Sequence, residues 1–256
     1  MCLTEESTET LYLLGEEDRI VGISGFTVRP PRARKEKPKV SAFTSAKIDR
    51  ILALEPDLVL GFSDLQADIA AELIRCSITV LVFNHRSVQE ILSMIRTLGG
   101  MVGAAKRADE LVGAYENNID RNLAQAAGRS RRPKVYFEEW DDPQISGIRW
   151  VSELITIAGG DDIFPELAVC PDGKSRIIAD PDEVIGRAPE IIIGSWCGKK
   201  FRPEKVAARE GWDAIPAVQN GDIYEIKSAQ ILQPGPAALT DGLEQLREII
   251  ATWAHE

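Results

Sequence analysis

The sequence predicts an α/β protein with two α/β lobes that contain parallel sheets and are joined by a single long helix. Three observations predict this class: apolar strand-like runs alternate with helical patterns, one helical pattern is much longer than the rest, and one helix–proline–strand motif occurs twice. We therefore expect an N-terminal lobe over residues 1–103, a linking helix over 104–128 and a C-terminal lobe over 129–256.

The first half of the chain alternates between helical and strand patterns. Helices are predicted over residues 4–14, 46–54, 65–75 and 87–98, and strands over 20–23, 58–60 and 78–83. Ser87 and Glu90 form a capping box at the start of the last of these helices. The basic, proline-rich segment 29–39 is predicted to be a loop.

The longest helical pattern runs over residues 104–127 and spans about 36 Å at 1.5 Å per residue, which suits a link between two lobes. After the polar turn 128–133 the alternation resumes. Strands are predicted over 135–137, 190–193 and 223–226, and helices over 151–158, 181–187, 203–209 and 236–255.

An internal repeat relates the two halves. Residues 51–61 align with 184–194 at a constant offset of 133 positions (184 − 51 = 133), and both segments contain a helix end, a proline, an acid, three aliphatic residues and a glycine. Open α/β sheets bind ligands at the carboxyl ends of their strands. The aromatic residues just after the two repeat strands, Phe62 and Trp196, are therefore candidate ligand contacts, and core packing is the alternative for each.

Three more residues follow predicted strands or lie in the same loops. Trp140 comes after the strand 135–137, Lys199 lies just beyond Trp196, and His85 follows the strand 78–83. Trp140 and Lys199 are candidates for ligand contact, with loop packing and a solvated lysine as the alternatives. His85 is a candidate for hydrogen bonding to a ligand, with a turn or capping role as the alternative.

Composition and motifs exclude several classes of function. The chain is 44% hydrophobic and 27% charged, which is typical of a soluble globular protein, and its net charge of −10 argues against nucleic acid as a partner. Two histidines and four scattered cysteines supply no metal-ligand set, and no catalytic triad, P-loop or dinucleotide fingerprint occurs. We expect no enzyme activity, no catalytic residues, no metal site and no resident cofactor. A cofactor-dependent or metallocluster reductase is the rival class, and Cys197 alone is placed to serve it.

Several ordered segments resemble one known family. Residues 8–15 with 17–23, then 47–60, 154–160, 189–193 and 215–221, are similar to the substrate-binding proteins of ABC importers for cobalamin, haem and iron–siderophores. The resemblance covers nearly the whole chain and implies two lobes joined by one helix, with the ligand in the cleft between them. It also implies that the segment before the last helix lines the cleft, which makes Gln230 and Gln233 ligand candidates, with a solvated loop as the alternative. Glu5 and Glu6 depart from the family, which usually has Pro-Ser there.

The resemblance also implies a function. The expected ligand is cobalamin or a related corrinoid, and the alternatives are haem, an iron–siderophore, or a role as a cytoplasmic corrinoid-handling or cofactor-dependent enzyme relative. A monomer would deliver the ligand to an ABC importer permease at the membrane surface. Asp68 and Glu204 correspond in position, not residue for residue, to the surface acids that meet the permease, with two solvated helix acids as the alternative. The resemblance implies the periplasm. The first twenty residues carry six acids rather than the pattern of a secretory signal, so the cytoplasm is the alternative.

Overall fold

Parallel strand pairing organises both halves of the protein. The computed structural model describes residues 1–254 and divides into two α/β units. Unit 1 contains residues 1–85, 89–114 and 233–236, and unit 2 contains residues 86–88, 115–232 and the described chain from Ala237 onward. The α/β class with parallel sheets is confirmed, and the exact lobe limits at 104 and 128 stay predictions.

The elements are numbered in chain order. The helices are α1 Glu5–Leu13, α2 Ala33–Glu36, α3 Ile48–Leu52, α4 Ala67–Arg75, α5 Val88–Met101, α6 Ala105–Ala127, α7 Arg149–Ala158, α8 Pro165–Ala168, α9 Asp182–Arg187, α10 Pro203–Ala207, α11 Pro216–Asn220, α12 Ser228–Ile231 and α13 Leu243–Trp253. The strands are β1 Ile23–Ser24, β2 Lys39–Ser41, β3 Val59–Phe62, β4 Val80–Phe83, β5 Lys134–Asp141, β6 Gln144–Ser146, β7 Asp161–Asp162, β8 Ile191–Gly194 and β9 Ile223–Glu225.

Unit 1 contains two parallel strand pairs. β1 pairs with β2, and β3 pairs with β4 in a register that sets Val59 opposite Val80 and Phe62 opposite Phe83. Cys2 adds a parallel bridge to Leu60 on the other side of β3. The carboxyl ends of β3 and β4 therefore lie side by side, and apolar residues of α3, α4 and the first residues of the chain form the core beneath them.

The basic segment 29–39 is not a plain loop, and that prediction is wrong. It contains the short helix α2, and its last residue begins β2. Ala33 is buried in α2, and Val40, the residue just beyond the segment, is buried in β2, so one apolar residue anchors each element. The charged neighbours obscured both elements in the sequence because they remain largely at the surface.

Unit 2 is built on one sheet with the strand order β6-β5-β8-β9, and β7 pairs with the amino end of β5. β5, β8 and β9 are parallel, whereas β6 returns antiparallel beside the carboxyl end of β5. β6 and the full length of β5 were not predicted. The core of unit 2 packs aromatic residues on this sheet, among them Tyr136, Phe164, Trp196, Phe201 and Trp212.

The internal repeat is also present in the backbone. Glu55 and Ala188 are 133 positions apart (188 − 55 = 133), each precedes the proline of its repeat, and both have positive φ angles of 44° and 51°. A proline disfavours the right-handed helical conformation in the residue before it. Accordingly α9 ends at Arg187, next to Ala188, and α3 ends at Leu52, with a turn before Glu55. The two left-handed residues then direct the chain into β3 and β8 in the same way.

The long helix predicted over 104–127 is confirmed as α6, which has 23 residues. Its residues up to Ala114 belong to unit 1 and those from Tyr115 belong to unit 2. The closing helix begins with a π-helical stretch, Ala238–Gly242, that continues into α13, and its predicted end at His255 lies outside the described residues. Over residues 1–254, the helices are all too short or too polar to cross a bilayer.

Candidate functional site

Three of the predicted ligand residues lie together at the carboxyl ends of β5 and β8, which we call the carboxyl edge of unit 2. Trp140 lies near the end of β5, and Trp196 follows β8. The Lys199 ammonium is 5.5 Å from the ring centroid of Trp140 and 5.1 Å from that of Trp196. A cation at such distances is attracted by the faces of both rings. The Lys199 ammonium also forms an ion pair with the Asp141 carboxylate.

Trp196 is the buried residue of this group. Its side chain is only 4% exposed, and its ring packs edge-on against Phe201 at a centroid distance of 4.8 Å. Its indole N–H donates to Glu138 Oε1 at 3.0 Å. In this structure Trp196 therefore belongs to the core of unit 2, and its contact with ligand stays a prediction.

Glu138 is the buried acceptor that fixes Trp196 at this edge. Its fully buried carboxylate accepts both guanidinium N–H groups of Arg209, at 2.6 and 2.9 Å, and the phenol O–H of Tyr136 at 3.0 Å. Burial and the charge of Glu138 raise the pKa of Tyr136 far above its ordinary value, so this phenol stays protonated and donates. Burial opposes the charge on Arg209, but the hydrogen bonds to Glu138 and the attraction of the nearby negative charges together outweigh it and raise the pKa of the guanidinium.

Sequence reasoning missed Glu138 and Arg209, although one signal was available. Tyr136 and Glu138 are two positions apart on β5 and point to the same face of the strand. The pairing is irregular between Glu138 and Trp140, but Trp140 packs against the same core as Tyr136. A carboxylate placed between two aromatic residues on one face needs a buried partner, because an unpaired buried charge is very costly. Arg209 is that partner, and only the fold brings it to the strand.

Trp140 has the more open ring of the two tryptophans. It is half-buried, and its indole N–H donates to the backbone oxygen of Asp142 at 2.9 Å. Two polar atoms nearby, Asp141 Oδ1 and Ser195 Oγ, are buried and have no hydrogen-bond partner among residues 1–254. Buried polar atoms generally find a partner, so each of these two oxygens still has the capacity to accept a hydrogen bond.

Two further predicted residues meet at the carboxyl ends of β3 and β4, which we call the carboxyl edge of unit 1. The rings of Phe62 and His85 are 4.9 Å apart, and both side chains are buried. His85 Nε2 is 2.7 Å from the backbone oxygen of Pro234, which places the half-buried Gln233 beside this edge. Gln230 belongs to unit 2, where it lies half-buried on α12.

Sequence reasoning missed two exposed apolar residues that follow strands of unit 1. Phe26 lies two residues beyond β1 and is 59% exposed, and Leu65 lies three residues beyond β3 and is 60% exposed. The rule that selected Phe62 also applies to Phe26, since an aromatic residue follows a strand in both cases. The strand was predicted over 20–23, and β1 in fact ends at Ser24, so Phe26 is closer to the end of its strand than the prediction implied.

The departure at Glu5 and Glu6 places two carboxyl groups at the start of α1. Glu5 accepts a hydrogen bond from the backbone N–H of Val28 at 3.0 Å, and Glu6 accepts one from the Thr4 hydroxyl. Burial raises the pKa of Glu5 to about 8 and that of Glu6 to about 7, and the neighbouring Glu9 adds to both shifts. These two groups therefore titrate near neutral pH.

The two predicted docking acids are both at the surface. Asp68 lies in the first turn of α4, and Glu204 lies in the first turn of α10 with one oxygen 3.6 Å from Arg202. Within the described chain, His, Cys, Asp and Glu side chains form no group of three or more that could hold a metal ion.

Comparison with known proteins places this geometry in a family context. A family model described as "Periplasmic binding protein" matches residues 1–230. The uncharacterized ABC transporter substrate-binding lipoprotein YvrC of Bacillus subtilis is 26% identical over 257 residues, which cover 97% of this chain and 78% of YvrC. The Vitamin B12-binding protein of Vibrio parahaemolyticus is 22% identical over 245 residues, which cover 94% of this chain and 86% of that protein. The crystal structure of S. aureus IsdE complexed with heme superposes with a TM-score of 0.82 at 19% identity, covering 97% of this chain and 98% of IsdE, which shows a common fold.

Proposed function

Because this chain belongs to the periplasmic binding protein family, we propose that it captures cobalamin or a related corrinoid and delivers it to an ABC importer. The family and its substrate-binding relatives bind solutes for transport, so the protein is a binding protein and not an enzyme. The corrinoid is the proposed ligand within that class. A monomer in the periplasm is the form that we propose for capture and delivery.

The observation that carries the proposal is the cluster of Trp140, Lys199 and Trp196 at the carboxyl edge of unit 2. A corrinoid has a broad macrocycle, which can lie against the half-buried ring of Trp140. Its side-chain amides can donate hydrogen bonds to the unpartnered oxygens of Asp141 and Ser195. Its phosphodiester can attract the Lys199 ammonium.

The carboxyl edge of unit 1 supports the same class of ligand. Phe26 and Leu65 expose apolar surface just beyond β1 and β3, and the buried Phe62 is the last residue of β3. Large ligands are held mainly by apolar and aromatic surface with a few polar groups that set their orientation. Gln230 and Gln233 are proposed as further amide partners for the corrinoid.

Haem is the second candidate, and His85 is the residue that favours it. An imidazole at a strand end beside Phe62 can serve as an axial ligand to iron, and S. aureus IsdE, which shares this fold, was crystallised in complex with heme. However, His85 Nε2 already contacts the oxygen of Pro234 at 2.7 Å, so ligation would have to break this contact. A ferric siderophore is the third candidate.

A ligand screen tests the proposal. Purified protein is mixed separately with cyanocobalamin, haemin and ferrichrome, and each mixture is passed over a gel-filtration column while the ligand's visible absorbance is followed. We expect cyanocobalamin to elute with the protein in a stoichiometric amount. Retention of haemin alone, with a Soret band lost in His85→Ala, would establish the haem alternative, and retention of none of the three would reject all of them.

A further inference from the structure

A cavity lies in unit 2 at the opposite end of the sheet from Trp140 and Trp196. Its volume is about 720 Å³, within the range of small-molecule sites. The loop 128–131 leads into β5, Glu190 directly precedes β8, and Asp222 directly precedes β9, so the cavity opens at the amino ends of the parallel strands. Trp253 at the end of α13 forms another part of the wall.

Asp222 contributes a buried carboxylate with one open oxygen. Its backbone is fixed on both sides, because its N–H donates to Ala217 at 2.8 Å and its carbonyl accepts from Ile192 at 2.9 Å. The side chain is nine-tenths or more buried, at 4% exposure for the residue, and Oδ1 accepts from the Tyr224 hydroxyl at 2.9 Å. Oδ2 is buried and has no hydrogen-bond partner within residues 1–254. A buried carboxylate oxygen in this state is costly, and a ligand that donates to it removes that cost.

Arg129 contributes a positive charge to the wall of the cavity. Its side chain is half-buried in the cavity wall, and across the described residues its guanidinium has neither an ion pair nor a hydrogen bond. Arg131 differs, because it pairs with Glu190 and lies 5.0 Å over the ring of Trp253. The lining therefore contains one satisfied ion pair together with a separate cation and a separate anion.

We propose that this cavity binds a small zwitterion whose carboxylate pairs with Arg129 and whose ammonium group donates to Asp222. Guanidinium groups hold carboxylates through two parallel hydrogen bonds, and an ammonium group brings three donors to a carboxylate. A simple anion would leave Asp222 unsatisfied and would meet the negative charge of Glu190. A simple cation would leave Arg129 unpaired and would meet Arg131. This site is separate from the proposed corrinoid edge, and its existence does not depend on which ligand that edge binds.

A series of ω-amino acids measures both the site and its spacing. The protein is titrated calorimetrically with β-alanine, 4-aminobutyrate and 6-aminohexanoate, and with hexanoate and hexylamine as probes that carry only one of the two charges. We expect saturable binding of at least one amino acid, and at least about ten-fold weaker binding of hexanoate and hexylamine, since each lacks one charge-assisted partner.

Variants then assign the binding to this cavity. Asp222→Asn keeps an acceptor for Tyr224 and removes the negative charge, and Arg129→Gln removes the positive charge. We expect each variant to bind the amino acid about ten-fold more weakly than the wild type. The matched surface changes Asp213→Asn and Arg121→Gln should leave binding unaltered. The proposal is overturned if no amino acid of the series binds saturably up to about 10 mM, or if the affinity is the same in both cavity variants as in the wild type.

Discussion

The indole N–H of Trp196 donates to Glu138 Oε1 at 3.0 Å, and this bond ties an aromatic residue of the carboxyl edge of unit 2 to a buried ion pair. Glu138 is fully buried and Arg209 is largely buried, so the pair lies in a medium of low dielectric constant. The position of Trp196, and of the Lys199 ammonium above it, therefore depends on a charged pair inside the core.

The first prediction concerns the removal of one partner from this pair. In Glu138→Leu, Arg209 keeps its charge without a counter-ion, and Trp196 and Tyr136 lose their acceptor. We expect the free energy of unfolding, measured with urea, to fall by about 3–5 kcal/mol.

The double variant Glu138→Leu/Arg209→Met is the control for that prediction. It removes both charges and fills the space with apolar side chains, so most of the lost stability should return. A single variant as stable as the wild type would show that the pair does not hold the edge.

The second prediction concerns the turn after β8. A Cβ atom on Gly194 would lie 1.8 Å from Phe201 Cε2, so Gly194→Ala must displace the ring that packs on Trp196. We expect a loss of about 1–3 kcal/mol in the free energy of unfolding, together with a change in tryptophan fluorescence.

Gly186→Ala is the matched control, because nothing lies within 4 Å of the added atom and the residue is inside α9. Alanine favours a helix over glycine, so this change should be neutral or stabilise by about 0.5–1 kcal/mol. Equal effects of the two substitutions would contradict the packing described for Phe201.

The fold could largely be predicted from the sequence because its signals are local. The helix–proline–strand repeat predicted both β3 and β8, and Glu55 and Ala188 show that the same backbone turn occurs in each. The family resemblance and the α/β class are confirmed. The long uninterrupted helical pattern likewise corresponds to α6.

The site was harder to predict because its contacts are not local. Trp196 follows a strand as predicted, but the chain folds back so that Phe201 packs against its ring, and no pattern near Trp196 encodes that return. Arg209 is 71 positions from Glu138, and only the packing of unit 2 joins them. Trp140 and Lys199 could be chosen as candidates because both follow strands, and their contact with a ligand stays a prediction.

The third prediction is a dependence of stability on pH. The pKa values of Glu5 and Glu6 are raised to about 8 and about 7 in the folded protein, from an ordinary 4.5. The folded state therefore keeps protons that the unfolded chain has released, so this contribution to stability is complete below pH 4.5 and is lost as the pH rises through 7 and 8. We expect the free energy of unfolding to fall by about a few kcal/mol over this interval.

Urea unfolding at several pH values measures this effect. Glu5→Gln/Glu6→Gln should flatten the profile between about pH 4.5 and pH 8, because both carboxyl groups are replaced by neutral amides. The exposed Glu72→Gln on α4 should keep the slope of the wild type. A double variant with an unchanged slope would show that other groups govern the pH dependence.

The fourth prediction concerns the permease. Asp68 and Glu204 are exposed, so their charges are available to basic residues of a partner. We expect Asp68→Lys/Glu204→Lys to bind more weakly to membrane vesicles that contain the cognate permease, with ligand affinity intact, and added salt to weaken the wild-type complex. Asp49→Lys/Glu210→Lys changes the net charge equally at other positions, and equal binding of both double variants would reject a specific role for Asp68 and Glu204.

Isothermal titration calorimetry of cyanocobalamin with the wild type and with Trp140→Ala tests whether the protein binds a corrinoid against Trp140. Trp253→Ala serves as the control, because that tryptophan lies at the other end of the same sheet. We expect saturable binding to the wild type, a loss of about ten-fold in Trp140→Ala and no change in Trp253→Ala. Absence of binding to the wild type would reject a corrinoid as the ligand, and equal affinities in Trp140→Ala and the wild type would reject its contact with Trp140.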